Sequence, residues 1–151
     1  MYKRQGCESL GYASDITRTF PINGRFSKVQ KQIYQIVLSA QKSAIASIKP
    51  GEKVNTPHEI ACDIISRELT KLGIMKELNN LTEFYMHKTG HWLGLDVHDV
   101  GEYKIDNNFR DFKEGMVTTV EPGIYIHKDD KIDPKYWNIG CLLYTSPSPR
   151  D

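Results

Sequence analysis

The chain has 151 residues, 39% of them apolar and 26% charged, with 20 basic against 19 acidic side chains and a formal net charge of +1. That length suits one domain of ordinary size that needs no disulfide to hold its core, and the composition excludes a collagenous or disordered chain. A near-neutral balance gives no electrostatic footprint for nucleic acid or a membrane surface, and no apolar run approaches the roughly 20 residues of a spanning helix. The start, Met1-Tyr2-Lys3-Arg4-Gln5, is charged but leads into no apolar stretch, so it does not read as a secretory signal. The three cysteines, Cys7, Cys62 and Cys141, form no CxxC pair. They read as reduced thiols of a cytoplasmic protein.

In chain order, Gly11–Phe20 is expected to be a strand, rich in β-branched and aromatic residues and ended by Pro21. Alternation puts Ala13, Asp15, Thr17 and Thr19 on one face, so an acid stands in mid-strand. Asn23-Gly24 signals a turn. A helix follows, with Ser27 as N-cap and Gln30 completing a capping box. Val29, Ile33, Ile36, Val37, Ala40, Ala44 and Ile48 recur at helical spacing until Pro50-Gly51. A second helix is expected from Thr56, with Pro57 at its first position and Glu59 completing a second box. Ile60, Ile64, Ile65, Leu69 and Leu72 form its apolar face and Gly73 its stop. Gly115–His127 reads as two short strands broken at Glu121-Pro122-Gly123. The whole is an α+β pattern of antiparallel strands covered by two helices, with a Ser/Pro-rich end.

The chemistry concentrates in His87–Asp99, which holds His87, His91 and His98 with Asp96 and Asp99. Gly90 and Gly94 disfavour a helix there, so this is not the paired-histidine zinc helix. On a looped backbone His91 and His98 can reach one cavity, although a histidine in an apolar stretch also serves as ordinary core. Glu121 ends an apolar strand ahead of a Pro-Gly turn, costly for a carboxylate unless it is paired or bound; the alternative is an exposed strand end. Asp15 carries the same ambiguity. Taken together, a strand Asp, a loop His and a strand-end Glu suit two hard-to-borderline divalent ions sharing a water.

Three segments, Gly11–Pro21, His87–Asp99 and Thr119–Tyr125, come in the order seen in the pita-bread metallopeptidases (family M24), and their detail resembles aminopeptidase P, the Xaa-Pro aminopeptidases. The resemblance runs from Gly6 to Gly140; Lys88 departs from the small residue expected there. It implies a pita-bread fold, incomplete at both ends: residues 1–5 a leader outside the family pattern, 6–140 a partial catalytic domain, and 141–151 a disordered tail. It implies two divalent ions, manganese first, with cobalt, zinc or iron as alternatives. Asp15, His91 and Glu121 match metal ligands. His87 and His98 match histidines that line the substrate pocket and stabilise the tetrahedral intermediate, and Glu121 also assists proton transfer. The substrate is then a peptide with proline at its second position, cut by metal-bound hydroxide at the scissile carbonyl. Oligomers of the chain are compatible with the family.

Three departures bear on activity. The family's first ligand Asp falls at Arg4, its last ligand Glu at Tyr144, and the Arg before that Glu at Leu142. With one carboxylate missing on each side of the pair, at most one ion is expected to bind well. Other readings are a non-catalytic pita-bread module that binds peptides or proteins, and a prolidase restricted to dipeptides; a metal-free creatinase-like hydrolase fits less well, since three ligand positions stand.

Overall fold

The computed structural model describes residues 2–76 and 78–144. The elements are β1 (Tyr2–Gln5), β2 (Glu8–Ser9), β3 (Tyr12–Ala13), β4 (Ile16–Thr19), α1 (Lys28–Ala46), α2 (Thr56–Lys71), β5 (Lys104–Ile105), β6 (Asn108–Phe109), β7 (Gly123–Ile126) and β8 (Ile139–Leu142). The strands pair antiparallel in four two-stranded sheets: β1 with β4, β2 with β3, β5 with β6, and β7 with β8. Beyond β8 the chain continues to an antiparallel bridge between Tyr144 and Thr17. Cys141–Tyr144 therefore runs between β7 on one side and β4 on the other. No helix among the described residues is long and apolar enough to cross a membrane.

Helix α1 forms as its sequence dictates. Ser27 Oγ accepts from the Gln30 N–H at 3.2 Å and Gln30 Oε1 accepts from the Ser27 N–H at 2.9 Å, the reciprocal box that satisfies two otherwise orphaned donors. Ile33, Val37, Ala40 and Ala44 are buried, a stripe that follows the helical period. It packs on α2 and on β7 and β8. Gln41, on the same face, sends its amide to the Val120 carbonyl at 3.3 Å. The helix thereby grips the segment that leads into Glu121.

Three expectations are corrected. The second capping box does not form. Asn55 is the N-cap of α2 without a side-chain cap bond. Thr56 is already inside the helix, and Glu59 instead accepts from the Asn55 amide at 2.5 Å. The strand expected over Gly11–Phe20 is divided into β3 and β4, because Ser14 ties back to Cys7. The Ser14 N–H donates to the Cys7 carbonyl at 2.9 Å and Ser14 Oγ accepts from the Cys7 N–H at 2.9 Å. Asp15 thus lies at a break. The alternation survives it: Asp15 and Thr17 are buried while Ile16 is partly exposed.

The tail expected from residue 141 begins inside β8. Cys141, Leu143 and Tyr144 are buried, an apolar stretch that gains a partner strand and core contacts together. Burial pushes the Cys141 thiol up to about 12. Residues 145–151, and Met1 of the expected leader, lie outside the described residues; the rest of that leader, Tyr2–Gln5, is β1.

Candidate active site

The segment His87–Asp99 has almost no regular structure, yet it is held firmly. The Leu93 N–H donates to the Val117 carbonyl at 3.2 Å, the Thr119 N–H to the His91 carbonyl at 2.9 Å, and the Glu121 N–H to the Thr89 carbonyl at 2.6 Å. Two extended stretches, 89–93 and 117–121, therefore lie side by side in opposite directions. Gly90 makes the approach possible: a Cβ there would collide with the Thr119 carbonyl oxygen. The pairing puts His91 and Glu121 on adjacent segments, with His91 Nε2 3.4 Å from Glu121 Oε1.

Thr119 is buried and organises this corner. Its hydroxyl accepts from the His91 N–H at 2.9 Å and donates to Glu121 Oε1 at 3.2 Å. The His91 ring is set by its other nitrogen. Nδ1 lies 2.8 Å from the Trp92 carbonyl, an atom that can only accept, so Nδ1 carries the proton and Nε2 is the lone-pair nitrogen of the neutral ring. His98 stands against His91 edge to face, ring centroids 4.4 Å apart.

His87 is fixed in the same manner. Its Nδ1 donates to the Lys88 carbonyl at 2.8 Å, and its Nε2 accepts a hydrogen bond from the Tyr125 hydroxyl at 2.9 Å. All three imidazoles and Glu121 line one cleft of about 910 Å³, walled on its apolar side by Trp92, Tyr103 and Phe112. Trp92 stacks on Tyr103 at 5.2 Å and meets Phe112 edge to face. His127 is exposed and lies off this cleft.

One residue to which sequence reasoning gave no role also shapes it. His58, in the first turn of α2, lines the cleft and contacts Thr89 Oγ1 at 2.8 Å, while the Tyr85 hydroxyl meets the same Oγ1 at 2.5 Å. Desolvation holds His58 below the usual imidazole range, helped by the charge of Lys88. Burial raises the Tyr85 phenol and the Cys62 thiol. A helix-start histidine carries no pattern that marks it. The signal missed at Tyr144 was the apolar run Cys141–Tyr144, which reads as buried strand.

Tyr144 has the decisive position. It is fully buried, and its hydroxyl contacts His91 Nε2 and hydrogen-bonds to Asp15 and Thr119. Burial, with the carboxylates of Glu121 and Asp15 nearby, holds the phenol far above its ordinary value. Asp15, His91 and Glu121 are thus brought together, but around a phenol oxygen. Among the described residues no three His, Cys, Asp or Glu side chains are arranged to hold a metal ion. As it stands, the donor set does not fit the ions that the resemblance implies.

Known proteins share this fold. The chain is 49% identical to the Xaa-Pro aminopeptidase of Haemophilus influenzae, over 91% of this chain and 34% of that protein. It is 46% identical to that of Escherichia coli, over 91% of this chain and 33% of that protein. It superposes on the solved structure of Pseudomonas aeruginosa aminopeptidase PepP with a TM-score of 0.90 at 46% identity, covering 95% of this chain and 34% of that one. A substrate complex of an Escherichia coli aminopeptidase P variant gives 0.88 at 41% identity, over 96% of this chain and 34% of that one. The two helices and small antiparallel sheets are therefore part of the pita-bread fold, and the chain spans about a third of the length of these relatives. A profile of the metallopeptidase family M24 matches residues 4–141, and the chain belongs to that family.

Proposed function

We propose that the cleft receives the N-terminal end of a peptide whose second residue is proline, and that in the whole protein it serves hydrolytic release of the first residue. The observation that carries this reading is the gathering of His87, His91, His98 and Glu121 on one cleft in a chain so similar to Xaa-Pro aminopeptidases. Trp92, Tyr103 and Phe112 give the cleft an apolar wall suited to a pyrrolidine ring. His98, the more exposed imidazole, is placed to donate to a substrate oxygen as charge develops on it. His87 is held in one tautomer and lines the pocket for the peptide. Glu121, anchored by Thr119, is the group placed to take up and return a proton.

In the reaction that the resemblance implies, a bound divalent metal would supply water activation, and Asp15, His91 and Glu121 would be three of the residues that hold it. In this chain those positions are closed on Tyr144, which favours a second reading: peptide binding in the same cleft without turnover. The double variant Arg4→Asp, Tyr144→Glu separates the two readings, since it restores both carboxylates that the resemblance expects. Loaded with manganese, it should release the first residue from an Xaa-Pro-Xaa peptide faster than from Xaa-Ala-Xaa, while the native chain releases none. Metal uptake by the variant with no cleavage, or with equal cleavage of both peptides, would contradict the proline-directed peptidase. Cleavage confined to an Xaa-Pro dipeptide would assign it to prolidase chemistry.

A further inference from the structure

We propose that Tyr144 is a built-in occupant of the metal position: its phenol oxygen holds the ground among Asp15, His91 and Glu121, so the chain folds with this site closed and a divalent ion enters only when the phenol is removed. The inference rests on the reading of those three residues as ligand positions. Four observations support it.

His91 Nε2 and Glu121 Oε1 are 3.4 Å apart. Two donors at about 2.1 Å from one ion and at right angles would be ~3 Å apart, so this pair has close to the spacing of neighbouring ligands. The His91 tautomer is also the one a metal uses, with the proton on Nδ1 and the lone pair on Nε2. Yet that lone pair meets the Tyr144 hydroxyl. The same hydroxyl reaches Asp15, whose carboxylate is 1% exposed. A carboxylate so deep is costly without a donor or a cation, and the one proton of a neutral phenol can serve either it or His91 Nε2.

The fourth observation is that the phenol is set in place by the backbone on both sides. The Thr17 N–H donates to the Tyr144 carbonyl at 3.3 Å and the Tyr144 N–H to the Thr17 carbonyl at 3.2 Å. The Arg18 guanidinium donates to the Tyr144 carbonyl at 2.8 Å. One residue back, the Leu143 N–H donates to the Pro122 carbonyl at 3.3 Å. Residue 144 is therefore stitched to β4, beside Asp15, and residue 143 to the turn after Glu121. The ring lies between the two carboxylates because the backbone of residues 143 and 144 is bound to the segments that carry them.

Cobalt(II) titration followed by visible absorption, alongside thermal melting of the same samples, tests this. The native chain should show no ligand-field band from bound cobalt, and neither cobalt nor EDTA should move its Tm. Tyr144→Phe keeps the ring but removes the oxygen, and should bind cobalt tighter than the native chain by on the order of tenfold or more, with a rise in Tm on binding. Tyr144→Glu should bind tighter still, and adding Asp15→Asn to either variant should abolish the gain. Native binding equal to that of the variants would overturn the proposal while leaving the ligand assignment standing. Folded variants that bind no better than a non-binding native chain would overturn both. Should the variants fail to fold, the native chain decides alone: a fall in Tm on EDTA treatment, or a cobalt band lost with Asp15→Asn, would show an ion where the phenol is placed.

Discussion

At His91 the ring is held from two sides. The Trp92 carbonyl fixes the proton on Nδ1, and Thr119 clamps the backbone N–H. Such orientation comes from neighbours 1 and 28 residues away in sequence, so the identity of the residue was legible while its tautomer was not. The same holds for Asp15 and Glu121. Their chemical cost as strand acids pointed to a purpose, but what they face depends on Tyr144, brought in by β8. His58 was unreadable for a related reason, since its partner Thr89 is remote in sequence.

The environment of His58 has a pH consequence. Its folded-state pKa is depressed by desolvation, so the unfolded chain binds the proton more readily. Its contribution to stability is then in full effect above the unfolded value near 6.5 and is lost as pH falls through the depressed folded value. Urea unfolding between pH 7.5 and 5 should show native stability dropping on acidification by more than that of His58→Gln. Parallel slopes for the two proteins would show that His58 is not a source of the effect.

At the scale of elements, α1 was legible to its cap because the information is local: Ser27 and Gln30 are three residues apart and satisfy one another. Ser27→Ala should cost about 1 kcal/mol, measured as a shift in urea midpoint at unchanged slope. The strands were less legible. β1 and β8 are defined by partner strands beyond the reach of a local motif, and the division of β3 from β4 depends on the Cys7–Ser14 tie. The β2–β3 turn shows a local compromise. Leu10 adopts φ 52° and is 97% exposed, so a bulky side chain sits in the left-handed region with nothing to pack against. Leu10→Asn should raise stability by up to about 1 kcal/mol; a lower Tm would show an unseen role for the leucine. In the site itself, Gly90→Ala should push 89–91 off 117–121 and separate His91 from Glu121, read as loss of amide protection at Glu121.

For the whole molecule, α1 packs on α2 and against β7 and β8, with Ile65 and Leu69 of α2 fully buried in the shared core. Leu69→Ala should cost 2–5 kcal/mol as a cavity opens in that layer (about the range of buried leucines elsewhere), measured by urea unfolding. The fold class followed from pattern, since two amphipathic helices with short strands leave few ways to bury their faces. The cleft did not, because it is made where stretches far apart in sequence meet, among them the start of α2, residues 87–99, residues 103–112 and residues 118–121.

That meeting place is where a proline-directed peptide is expected to lie, and imidazole NMR of the native chain reads it directly. On titration with an Xaa-Pro-Xaa peptide, the ring resonances of His87 and His98 should shift and saturate, with and without EDTA, while His127 stays fixed and an Xaa-Ala-Xaa peptide gives a weaker response. Unmoved His87 and His98 resonances, or an equal response to both peptides, would contradict a cleft built for peptides with proline at the second position.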